Sequence, residues 1–142
     1  MKGLEIYMSI KEIDVENKFL TVKEITQIVY NHLKTQVGYA GKKYRNRNGL
    51  KCAIGCLIPD NEYNDCIEGI PISELSDGPY IDLQNHKVMT LREILFRSKV
   101  NIDDEDTYYL ALQLQEYHDD TRKGDFSEID DCSLFRKVIK CS

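Results

Sequence analysis

The sequence predicts an α+β protein, a mostly helical single domain of residues 1–142 with a small antiparallel β-hairpin or sheet. Three observations support this prediction. Apolar residues recur three and four apart in residues 22–36 and again between 104 and 118, which is typical of amphipathic helices. The dipeptide Asn48-Gly49 is the preferred sequence of a tight hairpin turn. The chain is also long enough to bury about two-thirds of its surface as one domain.

The N-terminal part is predicted to contain a short strand and the first helix. Apolar residues alternate in residues 4–10, so we expect residues 1–20 to form an edge strand or an N-terminal extension. Thr21 and Glu24 have the spacing of a capping box, and Gly38 is placed to end the helix. The predicted apolar face of this helix consists of Ile25, Ile28, Val29, Leu33 and Val37.

Residues 39–58 predict the hairpin, with two strands on either side of Asn48-Gly49. After the second strand, Asp60 is expected to cap a short helix that runs to Gly69. A further helical turn is expected in residues 72–78.

The C-terminal half is predicted to be helical, with a surface loop at residues 78–88 and a last helix at 131–141. Residues 22–120 would form the central part of the domain. The predicted helix caps in this half are Thr90, which pairs with Glu93, and either Asp103 or Asp104.

The charge is distributed unevenly along a chain whose formal net charge is −5. Residues 25–59 contain six Lys or Arg and no acid, whereas residues 60–142 carry nineteen acids against nine bases. The acidic part disfavours a general nucleic-acid coat, because it would repel phosphates. No apolar stretch approaches the roughly 20 residues of a membrane span, and the N-terminus lacks a signal-peptide pattern. We therefore expect no membrane association and a cytoplasmic location.

Five cysteines are an odd number for a disulfide framework, so free thiols are expected. Cys52 and Cys56 lie four residues apart, a spacing that zinc sites also use. No further thiol pair or histidine pair accompanies them at a suitable distance. On a strand they share a face with Ile54, and we therefore interpret both as core residues. The sequence predicts no metal and no cofactor.

The pair His118-Asp119 superficially resembles the His-Asp pair of metal phosphohydrolases. Those enzymes need further His and Asp ligands on separate helices, and the sequence offers no such set. A histidine near a helix C-terminus that interacts with the helix dipole is the favoured interpretation. We assign no catalytic residue and expect a binding protein rather than an enzyme.

The strongest candidate site is the basic hairpin, which we predict to bind a ligand or partner. On a strand, Lys43, Arg45 and Arg47 would point the same way and form a fork of cations for a phosphate or an acidic partner. Tyr44 would face the other side, and Lys51 lies on the second strand. Two alternatives stay open: a solvated surface, and internal pairing with the acidic C-terminal half.

Several of these segments together resemble a family of small uncharacterised proteins encoded by phages and prophages. The resemblance spans roughly residues 22–120 and departs at Lys43, where family members often have a cysteine. It implies a phage context but no reaction, cofactor or catalytic residue. The segments that carry it are Tyr44-Arg45, residues 49–60, Tyr63, Glu68-Gly69, residues 112–115 and His118-Asp119.

From these observations we expect a small phage-type accessory protein of the host cytoplasm that acts by binding. Its partner would be an acidic protein surface or a phosphorylated small ligand, and its target a host defence component reached through the basic hairpin. One alternative is an enzyme that processes a nucleotide or phosphate ester, using His118, Asp119 and the arginines. Others are a protein that sequesters a nucleotide ligand and, disfavoured by charge, a DNA or RNA binder.

Overall fold

Three α-helices are the main elements of the computed structural model, which describes residues 18–75, 86–121, 125–136 and 138. Helix α1 is Val22–Thr35, α2 is His86–Arg97 and α3 is Glu105–Asp120. The described residues outside the helices include five short 3-10 turns: Gly55–Leu57, Asp65–Ile67, Ile72–Leu75, Ile129–Asp131 and Ser133–Phe135.

The α+β prediction was wrong, because no strand forms in the ranges just given. Arg45 and Lys51 make one isolated antiparallel bridge instead of a hairpin. The turn at Asn48-Gly49 is present, with a φ of +80° at Gly49 that suits a residue without a Cβ. The ladder stops at one bridge because the chain turns into the 3-10 segment Gly55–Leu57, where the second strand was expected to continue.

The predicted capping box of helix α1 is present, and the predicted bounds of the helix are correct to within one residue. The hydroxyl of Thr21 accepts from the backbone N–H of Glu24, and the Glu24 carboxylate accepts from the N–H of Thr21, both at 3.0 Å. The predicted apolar face is correct at Ile25, Val29 and Leu33, which are buried. It is wrong at Val37, which lies beyond the helix and is 91% exposed, and Ile28 is partly exposed.

In the C-terminal half one predicted cap is confirmed and one is wrong. Asp104 caps α3, since its carboxylate accepts from the backbone N–H of Thr107 at 3.0 Å. Helix α2 already begins at His86, so Thr90 lies inside it and the predicted loop cannot extend through residue 88.

The shorter elements also differ in part from the prediction. No helix starts at Asp60; instead Asn64 caps the 3-10 turn Asp65–Ile67. The turn expected in residues 72–78 is confirmed as Ile72–Leu75. The last helix is represented by the turn Ser133–Phe135 and the helical positions 136 and 138. The predicted strand at 4–10 and most of the predicted loop lie outside the described residues.

All three helices contribute to one core of buried apolar side chains. Helix α1 packs against α3 and against the turn Gly55–Leu57, and α2 packs against the turns Asp65–Ile67 and Ile72–Leu75. None of the helices within the described ranges has the length and apolar character needed to cross a membrane. The largest fully buried side chains include Ile25, Ile54, Ile58, Ile67, Leu91, Leu95, Leu114, Ile129 and Phe135.

Candidate functional site

The segment 42–51, which we call the basic loop, is held on one arm by the carboxylate of Glu68. The backbone N–H groups of Tyr44 and Arg45 donate to its two oxygens at 2.9 and 3.0 Å. The Tyr63 hydroxyl also donates to Glu68, at 2.6 Å. Glu68 therefore satisfies the backbone groups that a neighbouring strand would otherwise pair.

The other arm of the basic loop is held by side chains of α1 and of the residue that follows it. The N–H of Lys51 donates to Oε1 of Gln36 at 2.9 Å, and the Gln36 amide donates back to the Lys51 carbonyl at 3.0 Å. His32 Nε2 lies 2.8 Å from the same carbonyl, so that nitrogen carries the proton. Burial lowers the pKa of His32, which favours the neutral ring.

The tip of the basic loop is closed by the side chain of Asn46. Its Oδ1 accepts from the backbone N–H groups of Asn48 and Leu50, both at 2.9 Å. The backbone N–H of Asn46 donates to the Leu50 carbonyl at 2.8 Å. Such Asx turns fix a loop without a sheet, so the tip of the basic loop is held by its own hydrogen bonds.

Two of the predicted binding cations are engaged inside the molecule. Arg45 and Lys51 both reach Oδ1 of Asp60, at 2.6 and 3.3 Å. The Arg45 guanidinium also lies over the Tyr63 ring, 4.4 Å from its centroid. The hydrogen bond from Lys51 and the charges of both cations lower the pKa of Asp60. Internal pairing with the acidic half of the chain, one of the two alternatives, thus accounts for these two residues.

The other cations of the basic loop point to solvent. Lys42, Lys43 and Arg47 are exposed, and no carboxylate of the described residues forms an ion pair with them. The predicted fork is therefore divided, because Arg45 does not join Lys43 and Arg47 at the surface. Tyr44 is buried, and its hydroxyl donates to the carbonyl of Ile70.

Beside the basic loop lies a cleft of about 390 Å³. Residues 69–72 contribute to its lining, as does the exposed Lys42. The remaining lining comes from Tyr44, Cys52 and, on α3, Gln115 and Asp119. The cleft thus joins four segments that are far apart in the sequence.

Asp119 contributes a carboxylate to the cleft lining, and two donors orient it. Oδ1 accepts from Nε2 of Gln115 at 2.9 Å and lies 3.0 Å from Nδ1 of His118. Gln115 is fixed in turn, because its Oε1 accepts from the backbone N–H of Ile54 at 3.3 Å. The second oxygen, Oδ2, has no hydrogen-bond partner among the described residues, and the side chain is 25% exposed.

His118 lies in the last turn of α3, as predicted, but it is completely buried. Its ring stacks on Tyr39 at 5.0 Å and on Phe126 at 5.7 Å between centroids. Nδ1 donates to Asp119, and Nε2 is buried with no hydrogen-bond partner among the described residues. In the described ranges no group of three or more His, Cys, Asp or Glu is arranged to hold a metal ion.

The cysteines of the twelve-residue segment 49–60 pack as expected, although on a turn rather than a strand. Cys52 is 1% exposed and belongs to the core, and Cys56 packs against it. Burial raises the pKa of Cys52 to about 12 and also raises that of Cys56. Both are therefore thiols at neutral pH, unsuited to nucleophilic attack.

Sequence reasoning missed the residues that support the basic loop and the cleft. Asp60 was assigned to a helix cap, and neither Glu68 nor Gln115 was given a role. Glu68 acts on backbone groups 23 and 24 residues away, so no local pattern indicates it. The one available signal was that Glu68 and Gln115 both stand in segments that carry the resemblance to the phage family.

Comparison with protein-family models, with curated proteins and with solved structures gave no match to this chain. The resemblance to small phage proteins therefore stays a prediction, and the site has to be interpreted from its own geometry.

Proposed function

We propose that the protein acts by binding, and that the basic loop contacts an acidic surface of a partner protein. The observation that carries this proposal is the contrast between the cations of the loop. Arg45 and Lys51 are paired with Asp60, whereas Lys43 and Arg47 are exposed and form no ion pair within the described residues. Since neither cation takes part in an ion pair of the described residues, both are available to a partner.

The order of the basic loop supports a binding role. Its backbone is held by Glu68, Gln36 and Asn46, so a partner would not have to order it. Binding to an ordered loop loses less conformational entropy than binding to a flexible one. Positively charged side chains on a fixed loop also favour rapid association with an acidic surface.

An exposed apolar residue lies close to the same surface. Val37 is 91% exposed, and the next residue, Gly38, lies against the loop, since a Cβ there would come within 2.8 Å of Leu50 Cδ1. Protein interfaces combine an apolar centre with a polar rim, and charge alone gives little affinity. This favours a protein surface over a free phosphate.

The alternative enzyme has less support. His118 is enclosed by Tyr39 and Phe126, and Arg45 is engaged with Asp60. The histidine that a phosphate-ester enzyme would use is therefore enclosed, and one of its arginines is already paired. The phage association, the cytoplasmic location and the inhibition of a host defence component stay predictions.

Capture of the partner tests the proposal. The tagged full chain is incubated with lysate of the cells that express it, and the bound proteins are quantified by mass spectrometry. The double variant Lys43→Glu/Arg47→Glu should lose an acidic protein that the wild type enriches. The matched control Lys23→Glu, an exposed lysine of α1, should retain it. Equal capture by the double variant and the wild type would refute binding through the basic loop.

A further inference from the structure

We propose that the cleft beside the basic loop binds a nucleoside monophosphate with an exocyclic amine, whose amine donates to Oδ2 of Asp119 and whose phosphate pairs with Lys42. This site is separate from the protein-binding surface proposed above, which uses Lys43 and Arg47. The two sites adjoin at residues 42 and 43, but their ligands and tests differ.

The size and walls of the cleft fit a ligand of this class. Small-molecule pockets have volumes of about 300–1,000 Å³ and are mostly apolar with a few convergent polar groups. The cleft has about 390 Å³, and its apolar side is formed by Ile70, Pro71 and Ile72. Pro71 is exposed and Ile70 is partly exposed, so these two side chains offer a planar base a surface on which to pack, whereas Ile72 is buried.

Asp119 determines which edge of a base the cleft accepts. Its Oδ1 is already occupied by Gln115 and His118, so Oδ2 is the oxygen left for a ligand. A carboxylate accepts hydrogen bonds and does not donate them, so the ligand atom opposite Oδ2 has to carry hydrogen. An amino group meets this requirement, whereas a carbonyl oxygen in the same place would be repelled.

Lys42 supplies the opposite charge at the edge of the cleft. It is exposed, and in the part of the chain that the structure describes no carboxylate forms an ion pair with it. A lysine ammonium binds a phosphate as a mobile point charge and needs no fixed geometry. The ligand therefore carries both an N–H donor for Asp119 and an anion for Lys42.

The cleft is suited to binding and not to chemistry on the ligand. Its thiol, Cys52, is held in the neutral form by burial. Its phenol, Tyr44, donates to a backbone carbonyl, and burial raises its pKa as well. Neither group provides a nucleophile at neutral pH, so we expect the nucleotide to be released unchanged.

The test uses pairs of nucleotides that differ in the exocyclic group that would face Asp119 and in whether the adjacent ring nitrogen carries hydrogen. CMP and UMP differ in an amine against a carbonyl oxygen, and AMP and IMP form the equivalent purine pair. Isothermal titration of the full chain should show CMP or AMP binding about tenfold or more tightly than its partner, the range expected for one hydrogen bond to a charged group. Equal binding within both pairs, or no binding of any of the four at millimolar concentration, would overturn the proposal.

Two variants test the contacts proposed for Asp119 and Lys42 separately. Asp119→Asn keeps the Oδ1 acceptor for Gln115 and His118 but puts an amide donor at the second position, so the preference for the amine should disappear or reverse. Lys42→Met should weaken the binding of both nucleotides of a pair by the same factor. Lys23→Met is the matched surface control. An unchanged preference in Asp119→Asn, or an unchanged affinity in Lys42→Met, would refute the corresponding contact. The Lys43→Glu/Arg47→Glu variant separates the two proposals, because the amine preference is expected to persist in it.

Discussion

The carboxylate of Glu68 accepts a hydrogen bond from the backbone N–H of Tyr44 at 2.9 Å, across 24 residues of sequence. Its other oxygen binds the N–H of the next residue, Arg45, at 3.0 Å. One side chain thus replaces the strand partner that the sequence led us to expect. The basic loop is ordered by this carboxylate and by Gln36, and its exposed cations are held on a defined surface.

Removal of the Glu68 carboxylate is expected to destabilise the protein. Glu68→Ala leaves two backbone N–H groups of the loop and the Tyr63 hydroxyl without their acceptor, which should cost about 1–3 kcal/mol in the free energy of unfolding. Urea denaturation measures the change. Glu74→Ala, at an exposed acid of a 3-10 turn, is the control and should change stability by less than about 0.5 kcal/mol. Equal effects of the two substitutions would contradict the role of Glu68.

His118 is expected to be a structural residue. His118→Ala removes a fully buried ring from between Tyr39 and Phe126 and takes a donor from Asp119. The free energy of unfolding should fall by about 2–4 kcal/mol, as it does when other large buried side chains are replaced by alanine. Denaturation of this variant is compared with that of Tyr109→Ala, a residue of the same helix that is 55% exposed. A nearly unchanged stability of His118→Ala would point instead to a functional role.

The ion pairs of Asp60 predict a dependence of stability on pH. Its pKa is lowered in the folded protein, so its contribution is present above its ordinary pKa of about 3.9 and is lost as the pH falls through the lower folded value. The melting temperature of Asp60→Asn should therefore lie slightly below that of the wild type at pH 7. The two should converge at a pH below the folded pKa. A difference that persists unchanged in acid would show that the charge of Asp60 is not responsible.

Burial predicts the order in which the cysteines react. Cys52 is 1% exposed and its pKa is raised to about 12, so the native protein should leave it unlabelled by iodoacetamide at pH 8. Cys66 and Cys132 are only partly buried and should be labelled first. Peptide mass spectrometry over time measures the rates, and labelling in urea provides the unfolded reference. Labelling of Cys52 as fast as Cys132 in the native protein would contradict the core assignment.

Those parts of the fold that depend on neighbouring residues could be predicted from the sequence. The capping box of Thr21 and Glu24 and the cap at Asp104 are interactions across three residues, and both are present. The Asn48-Gly49 turn was also predicted correctly. The strands predicted on either side of this turn do not form. The backbone groups there are satisfied by distant side chains such as Glu68 and Gln36.

The candidate site could be predicted only in part for the same reason. The concentration of cations in residues 42–51 is visible in the sequence, but which of them form an ion pair depends on where Asp60 lies in the fold. The cleft combines Lys42 with Asp119 of a helix almost eighty residues later. Without the fold, Asp119 was visible only as part of the pair His118-Asp119, which suggested metal chemistry.

The most direct test of the central claim, binding through the basic loop, is the dissociation constant of the purified partner measured at low and high salt. We predict that Lys43→Glu/Arg47→Glu binds at least about tenfold more weakly than the wild type at low salt, and that the difference shrinks as salt screens the charges. The control Lys23→Glu should match the wild type. Equal affinity of the double variant and the wild type at low salt would contradict the account.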